Sequence, residues 1–159
     1  MLGKSIPVKY GDPGTPILKL QINRVDIPNV LVDLGAVINV ITSETMLTLG
    51  LWNLKPTPTV LELAYRSIVR SIWKLEDVTI SVDSWRYPVD LLVLHTQSPI
   101  GGHFLILGRP WLETANAYIG CQSRNMVIST RENTKNLILY PLQNQVHQVK
   151  QHLNKIPYL

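Results

Sequence analysis

The sequence predicts a single, mostly-β domain: a barrel or sandwich of short strands with two short helices. Apolar and polar residues alternate over short stretches, which is the period of half-buried strands. Turn-forming residues separate these stretches, and only two segments carry helix-start signals. With 159 residues, 45% of them hydrophobic, the chain is long enough for one buried core and too short for two domains of ordinary size.

The N-terminal third begins with a turn-rich lead, residues 1–16, whose prolines and glycines disfavour regular structure. Alternation over residues 17–25 predicts a strand, and residues 27–32 predict the second arm of a hairpin that turns near 24–26. A short helix is expected from Thr42 or Ser43, either of which can cap it, to Gly50.

In the middle of the chain, Pro56 and Pro58 indicate a connector. Two hairpins are expected after it. The first pairs residues 60–64 with 68–73, and the second pairs 78–82 with 87–94 around a turn at 83–86.

The C-terminal third predicts a short buried strand at 104–107 that Gly108 ends, then a helix over 110–115 with a proline in its first turn. A further hairpin of residues 118–119 and 126–128 and a last strand at 137–140 complete the domain, which we place at residues 17–142. Residues 143–159 are polar and amide-rich without a periodic pattern, and they are expected to be a tail.

Composition argues against several functional classes. No apolar run approaches the roughly 18 residues of a membrane span, and the first ten residues lack a signal-peptide core, so we expect an intracellular, cytoplasmic protein without a membrane partner. The lone Cys121 cannot form an internal disulfide or supply a thiolate zinc site. The four histidines show no metal-binding spacing, so no metal and no cofactor are expected.

The net charge of +4 raises the alternative of a basic nucleic-acid-binding module, with Lys150 and Lys155 near the C-terminus. However, the basic residues are scattered singly, and they do not interleave with aromatic residues as in stacking platforms. These observations argue against nucleic acid as the partner.

The strongest functional candidate is Asp33. It lies with Gly35 inside the otherwise apolar run 30–41. Burial of an unpaired carboxylate costs several kcal/mol, so an Asp in such surroundings is usually there for a function. The glycine indicates a sharp turn at the end of the strand, which would present the carboxylate on a tight loop.

An ordered set of segments from about residue 10 to about residue 129 resembles the retropepsin-like aspartic protease domain, in the version found in the polyproteins of plant gypsy-type LTR retrotransposons. The segments are Asp12-Pro13-Gly14, Leu31-Val32-Asp33-Leu34-Gly35-Ala36, Ile38-Asn39-Val40, Leu49-Gly50-Leu51, Leu61-Glu62-Leu63-Ala64-Tyr65-Arg66-Ser67, Glu76-Asp77-Val78, Pro88-Val89-Asp90, Val93-Leu94 and Ile106-Leu107-Gly108-Arg109-Pro110-Trp111-Leu112. An Asp-x-Gly triplet alone is weak evidence, whereas the ordered set is specific.

The resemblance implies a closed retropepsin-like β-barrel that forms a homodimer and cleaves an extended polypeptide substrate as an aspartic endopeptidase. Each chain would supply one catalytic carboxylate, and the two would share a proton because like charges about 3 Å apart cannot both ionise. The implied site residues are the catalytic Asp33, the active-site loop Leu34, Gly35 and Ala36, the flap Ala64, Tyr65, Arg66 and Ser67, and the loop support Ile106, Leu107 and Gly108. The earlier triplet at Asp12 lacks a preceding apolar strand and is assigned no catalytic role.

Three positions depart from the family pattern. Leu34 replaces the usual Thr or Ser, Val37 replaces a Ser, and the flap has Tyr65 where an Asp is common. These departures support an alternative, in which the domain has lost catalysis and acts as a dimerising or peptide-binding module.

Overall fold

The computed structural model describes residues 5–62, 68–96 and 100–140. The predicted flap, residues 64–67, and the predicted tail, residues 143–159, lie outside this range. Within it the chain forms ten strands and two short helices. In chain order they are β1 (Ile17–Ile22), β2 (Val25–Val32), β3 (Asn39–Thr42), α1 (Ser43–Thr48), β4 (Leu54–Glu62), β5 (Ile68–Val82), β6 (Trp85–Leu94), β7 (Leu105–Leu107), α2 (Arg109–Thr114), β8 (Tyr118–Gly120), β9 (Asn125–Ser129) and β10 (Thr134–Ile138).

Six strands close into a barrel in the order β1-β2-β7-β3-β6-β5, because β5 also pairs with β1. Strand β4 extends this sheet beyond β5, and β8, β9 and β10 form a separate three-stranded sheet. The predicted fold class, a closed barrel with two short helices, is confirmed.

The hairpin turns are tighter than the sequence predicted. Asn23 and Arg24 alone connect β1 to β2, and both have positive φ, 50° and 65°. Asp83 and Ser84 likewise connect β5 to β6. Two-residue turns with positive φ match the twist of paired strands. As a result Val25 and Asp26 join β2, and Trp85 and Arg86 join β6.

Two predictions about the middle of the chain are wrong. Pro56 and Pro58 belong to β4 and not to a connector. They are tolerated because β4 is the last strand of its sheet, where a missing N–H need not break a ladder.

The second error concerns β5, which is one strand where two were predicted. The register shifts between Leu75 and Val78, and Asp77 has a φ of 53°. This is a β-bulge, in which extra residues let the strand continue through the polar pair Glu76-Asp77.

The short helices match their predictions closely. Thr42 caps α1, and its side chain accepts a hydrogen bond from the N–H of Thr45. Helix α2 begins one residue earlier than predicted, with Pro110 in its first turn, where the missing N–H costs nothing. Strand β10 begins at Thr134, three residues before the predicted last strand, and pairs with β9 along its whole length.

The barrel is filled by aliphatic side chains, and Trp111 of α2 is completely buried against it. The Trp111 ring meets Tyr87 of β6 edge to face, with ring centroids 5.9 Å apart. Helix α2 therefore seals one side of the barrel directly after β7. Over the described part of the chain, neither helix has the length and apolar character needed to cross a lipid bilayer.

Candidate active-site loop

Asp33 is the first residue after β2, and its backbone is tied to β7. Strands β2 and β7 run parallel, with Val32 opposite Leu107, and the Asp33 N–H donates to the Leu107 carbonyl at 2.9 Å. Its side chain is half-buried. No ion pair involves Asp33 among the residues that the structure describes. The loop thus holds one carboxylate that solvent or a ligand can reach.

The loop turns immediately after Asp33. The carboxylate Oδ1 accepts the Gly35 N–H at 2.8 Å, and the Asp33 carbonyl accepts the Ala36 N–H at 3.2 Å. A Cβ on Gly35 would lie 3.1 Å from that same Oδ1, closer than most side-chain contacts. Glycine therefore lets the turn bring its N–H to the carboxylate.

The predicted support residues pack directly behind this loop. Ile106 and Leu107 form a buried strand between β2 and β3, with Ile106 opposite Val40. The N–H of Arg109 donates to the Ala36 carbonyl at 2.9 Å. The structure therefore brings the predicted loop 33–36 and the predicted support 106–108 together.

Leu34 lies within the turn and Val37 directly after it, and both apolar side chains are exposed. Leu34 is 62% exposed and Val37 is 58% exposed in the single chain. Neither side chain can donate or accept a hydrogen bond, so these two positions offer the carboxylate no hydroxyl group.

Sequence reasoning assigned no role to one site residue, Asn39, which is only 3% exposed. Its Oδ1 accepts the Gly108 N–H at 2.9 Å, and its Nδ2 donates to the Asp90 carbonyl at 3.2 Å. The sequence did contain a signal for this role, namely an amide inside the apolar run 37–41. A buried polar group is normally hydrogen-bonded, so such an amide is expected to have partners within the fold.

A surface groove of about 420 Å³ lies beside this amide. Asn39, Asp90 and Trp111 are among its lining residues. The indole N–H of Trp111 is buried, and no described residue accepts a hydrogen bond from it. Since the residues of the 33–36 loop do not line this groove, it is separate from the Asp33 carboxylate.

The other Asp-x-Gly triplet makes a similar turn in a different setting. Asp12 Oδ1 accepts the Gly14 N–H at 2.9 Å, but the residues around it, 5–16, form no strand or helix. Asp12 therefore lacks the strand pairing that supports Asp33. Across the residues that the structure describes, no group of three His, Cys, Asp or Glu side chains is arranged to hold a metal.

Among solved structures, the chain is similar to the retroviral protease-like domain of Ddi1 from Leishmania major. The two share 16% sequence identity with a TM-score of 0.63, over 82% of this chain and 97% of that one. This likeness shows a retropepsin-like fold. No protein-family model and no curated protein matches the sequence.

Proposed function

We propose that this chain is an aspartic-type endopeptidase that works as a homodimer. The observation that carries the proposal is the placement of Asp33. Asp33 directly follows a barrel strand in a retropepsin-like fold. Its reachable carboxylate accepts the Gly35 N–H, and its backbone N–H donates to the Leu107 carbonyl. A fixed carboxylate of this kind suits general acid and base catalysis.

Dimerisation is part of the proposal because this chemistry needs two carboxylates. The described structure has one Asp-x-Gly loop that follows a barrel strand, so the second would come from another copy. The outward-facing Leu34 and Val37 support this, since apolar side chains around a polar site favour coverage by a partner. We expect the two Asp33 side chains to lie next to each other across a two-fold axis.

In the proposed reaction, one Asp33 carboxylate takes a proton from a water molecule, whose oxygen attacks the peptide carbonyl carbon. The other Asp33, protonated, donates its proton to the carbonyl oxygen, which gives a tetrahedral diol. When the C–N bond breaks, the leaving nitrogen takes a proton and a diol hydroxyl loses one. The products are a free carboxyl end and a free amine end, and the pair again holds one proton.

The proposed substrate is an extended polypeptide, and specifically the polyprotein of a retroelement. The ordered sequence segments described above support this finer assignment.

A second candidate is a catalytically silent module that dimerises or binds peptides. Leu34 favours it, because the residue next to Asp33 presents an exposed apolar side chain where a hydroxyl would make the loop rigid. The two candidates differ in whether the function of the chain requires the Asp33 carboxylate.

Cleavage of a mixed peptide library at about pH 5, on the acidic side where aspartic-type hydrolysis is expected, tests the proposal. The native chain is compared with Asp33→Asn at high protein concentration, with the association state measured in parallel. Asp12→Asn is the matched control, since it changes the other Asp-x-Gly turn and keeps a side-chain oxygen for the Gly14 N–H.

We expect the native chain and the Asp12→Asn variant to cleave equally. Asp33→Asn should lose at least about 10³-fold in rate, as expected for a residue of the reacting machinery. No cleavage by a native chain that is shown to be dimeric would refute the protease and leave the binding module. Cleavage that survives Asp33→Asn would assign the activity to another site.

A further inference from the structure

The buried amide of Asn39 connects three parts of the barrel. It lies at the start of β3. Its Oδ1 accepts a hydrogen bond from the N–H of Gly108, the residue directly after β7, and its Nδ2 donates to the Asp90 carbonyl on β6. Replacement of this amide is costly, because the Gly108 N–H and the Asp90 carbonyl would then be buried with neither a hydrogen-bond partner nor water.

The Gly108 N–H is the middle one of three consecutive backbone contacts. On one side, the Leu107 carbonyl accepts the Asp33 N–H, and on the other, the Arg109 N–H donates to the Ala36 carbonyl. Segment 107–109 therefore holds the first and last residues of the active-site loop. A side chain that fixes the centre of this segment also fixes both ends of the loop.

We propose that Asn39 is a positioning residue, which sets the location of the Asp33 carboxylate through Gly108 without contacting substrate. The kinetic part of this inference rests on the proposed endopeptidase function. Without the amide, the buried Gly108 N–H would lack an acceptor and segment 107–109 would have to move toward another one. The loop ends bonded to that segment would move with it.

Two readouts test this role in the full chain. The first is hydrogen exchange at the amides of Asp33, Gly108 and Arg109, and the second is peptide cleavage with kcat and KM determined separately. Asn39→Ala removes both side-chain bonds. Thr45→Val is the matched control, because Thr45 is 4% exposed and hydrogen-bonded to Thr42, but belongs to α1.

For Asn39→Ala we expect exchange at the three amides to speed up by about tenfold or more relative to other barrel amides. We expect kcat to fall by about 10- to 100-fold with KM nearly unchanged, since a small displacement of a reacting group has effects of this size. Thr45→Val should lower the melting temperature, but it should neither speed up exchange at the three amides nor lower kcat.

Asn39→Asp gives a second test that also serves if Asn39→Ala does not fold. A protonated carboxyl has the shape of the amide, accepts from Gly108 and donates to Asp90, whereas the ionised form cannot donate. Burial and the nearby groove carboxylates of Asp77 and Asp90 should raise the pKa of the introduced group. We therefore expect amide protection and kcat of this variant to approach the native values as the pH falls.

Unchanged protection at Asp33 and Arg109 in folded Asn39→Ala, or no recovery of Asn39→Asp at low pH, would overturn the positioning role. A loss of protection identical in Thr45→Val would do the same, because it would show general loosening. If the native chain cleaves no peptide, the proposed function fails on its own. The exchange measurement still decides whether Asn39 holds the loop.

Discussion

Gly108 lies directly against the backbone of the loop that follows Asp33. Its φ of −95° and ψ of −165° are open to any residue, so the backbone does not require glycine. The surroundings do, because an added Cβ would lie 2.5 Å from the Ile38 carbonyl oxygen and 2.7 Å from the Ala36 carbonyl oxygen. Both are backbone atoms and cannot rotate away.

Gly108→Ala should therefore lower the free energy of unfolding by about 1–3 kcal/mol, the usual range for an overpacked site. Urea unfolding measures this, and cleavage should fall as the loop shifts. Gly11→Ala is the control, since its Cβ would have no atom within 4 Å and should change stability by less than about 0.5 kcal/mol. Equal stability of the two variants would contradict the close contact at Gly108.

At the scale of the elements, the β5 bulge brings together a small charge cluster that links β4 to β5. The Glu76 carboxylate pairs with Lys55 of β4 and with Lys74 of β5. The hydrogen bond from Lys55 and then that from Lys74 lower the pKa of Glu76 from 4.5 to about 2. A carboxyl with a lowered pKa stabilises the folded chain when it is ionised.

This stabilisation should be fully present above about pH 4.5 and lost as the pH falls through about 2. Glu76→Gln should reduce the acid-induced drop in unfolding midpoint within that window. The effect should shrink at high salt, because all three side chains reach solvent. The midpoint of urea unfolding, measured between pH 2 and pH 5, tests this prediction. Glu132→Gln is the control, because Glu132 is exposed. A drop that is the same in native and Glu76→Gln chains would contradict the assignment.

For the molecule as a whole, the proposed dimer makes a prediction about its surface. Leu34 and Val37 lie beside the Asp33 turn, where a second copy would have to approach. Leu47 is an apolar side chain of comparable exposure, 50%, but it belongs to helix α1.

A Leu34→Glu, Val37→Glu double variant should weaken self-association by about tenfold or more, because charges would be buried at the interface. Sedimentation across a range of protein concentrations measures this, and cleavage should become more strongly concentration-dependent. Leu47→Glu should leave both unchanged. Association that resists the double variant would place the interface elsewhere.

Local patterns predicted most of the strands and both helices, because alternation, caps and turn residues act over a few neighbours. They failed where an element depends on its place in the sheet. Pro56 and Pro58 were predicted to form a connector, but they lie in β4, an edge strand that tolerates proline. Residues 68–73 and 78–82 were predicted as two strands, but β5 continues between them through a bulge, because pairing with β6 resumes at Val78.

For the candidate site, the sequence by itself determined the residue types and their order: an Asp and a Gly after an apolar strand, and a second apolar strand ending in Gly108. Only the tertiary structure decided that β7 lies between β2 and β3. That placement puts the Gly108 N–H within reach of Asn39 and the Leu107 carbonyl within reach of Asp33. Such contacts join residues about seventy positions apart, and no local pattern encodes them, because closure of the barrel creates them.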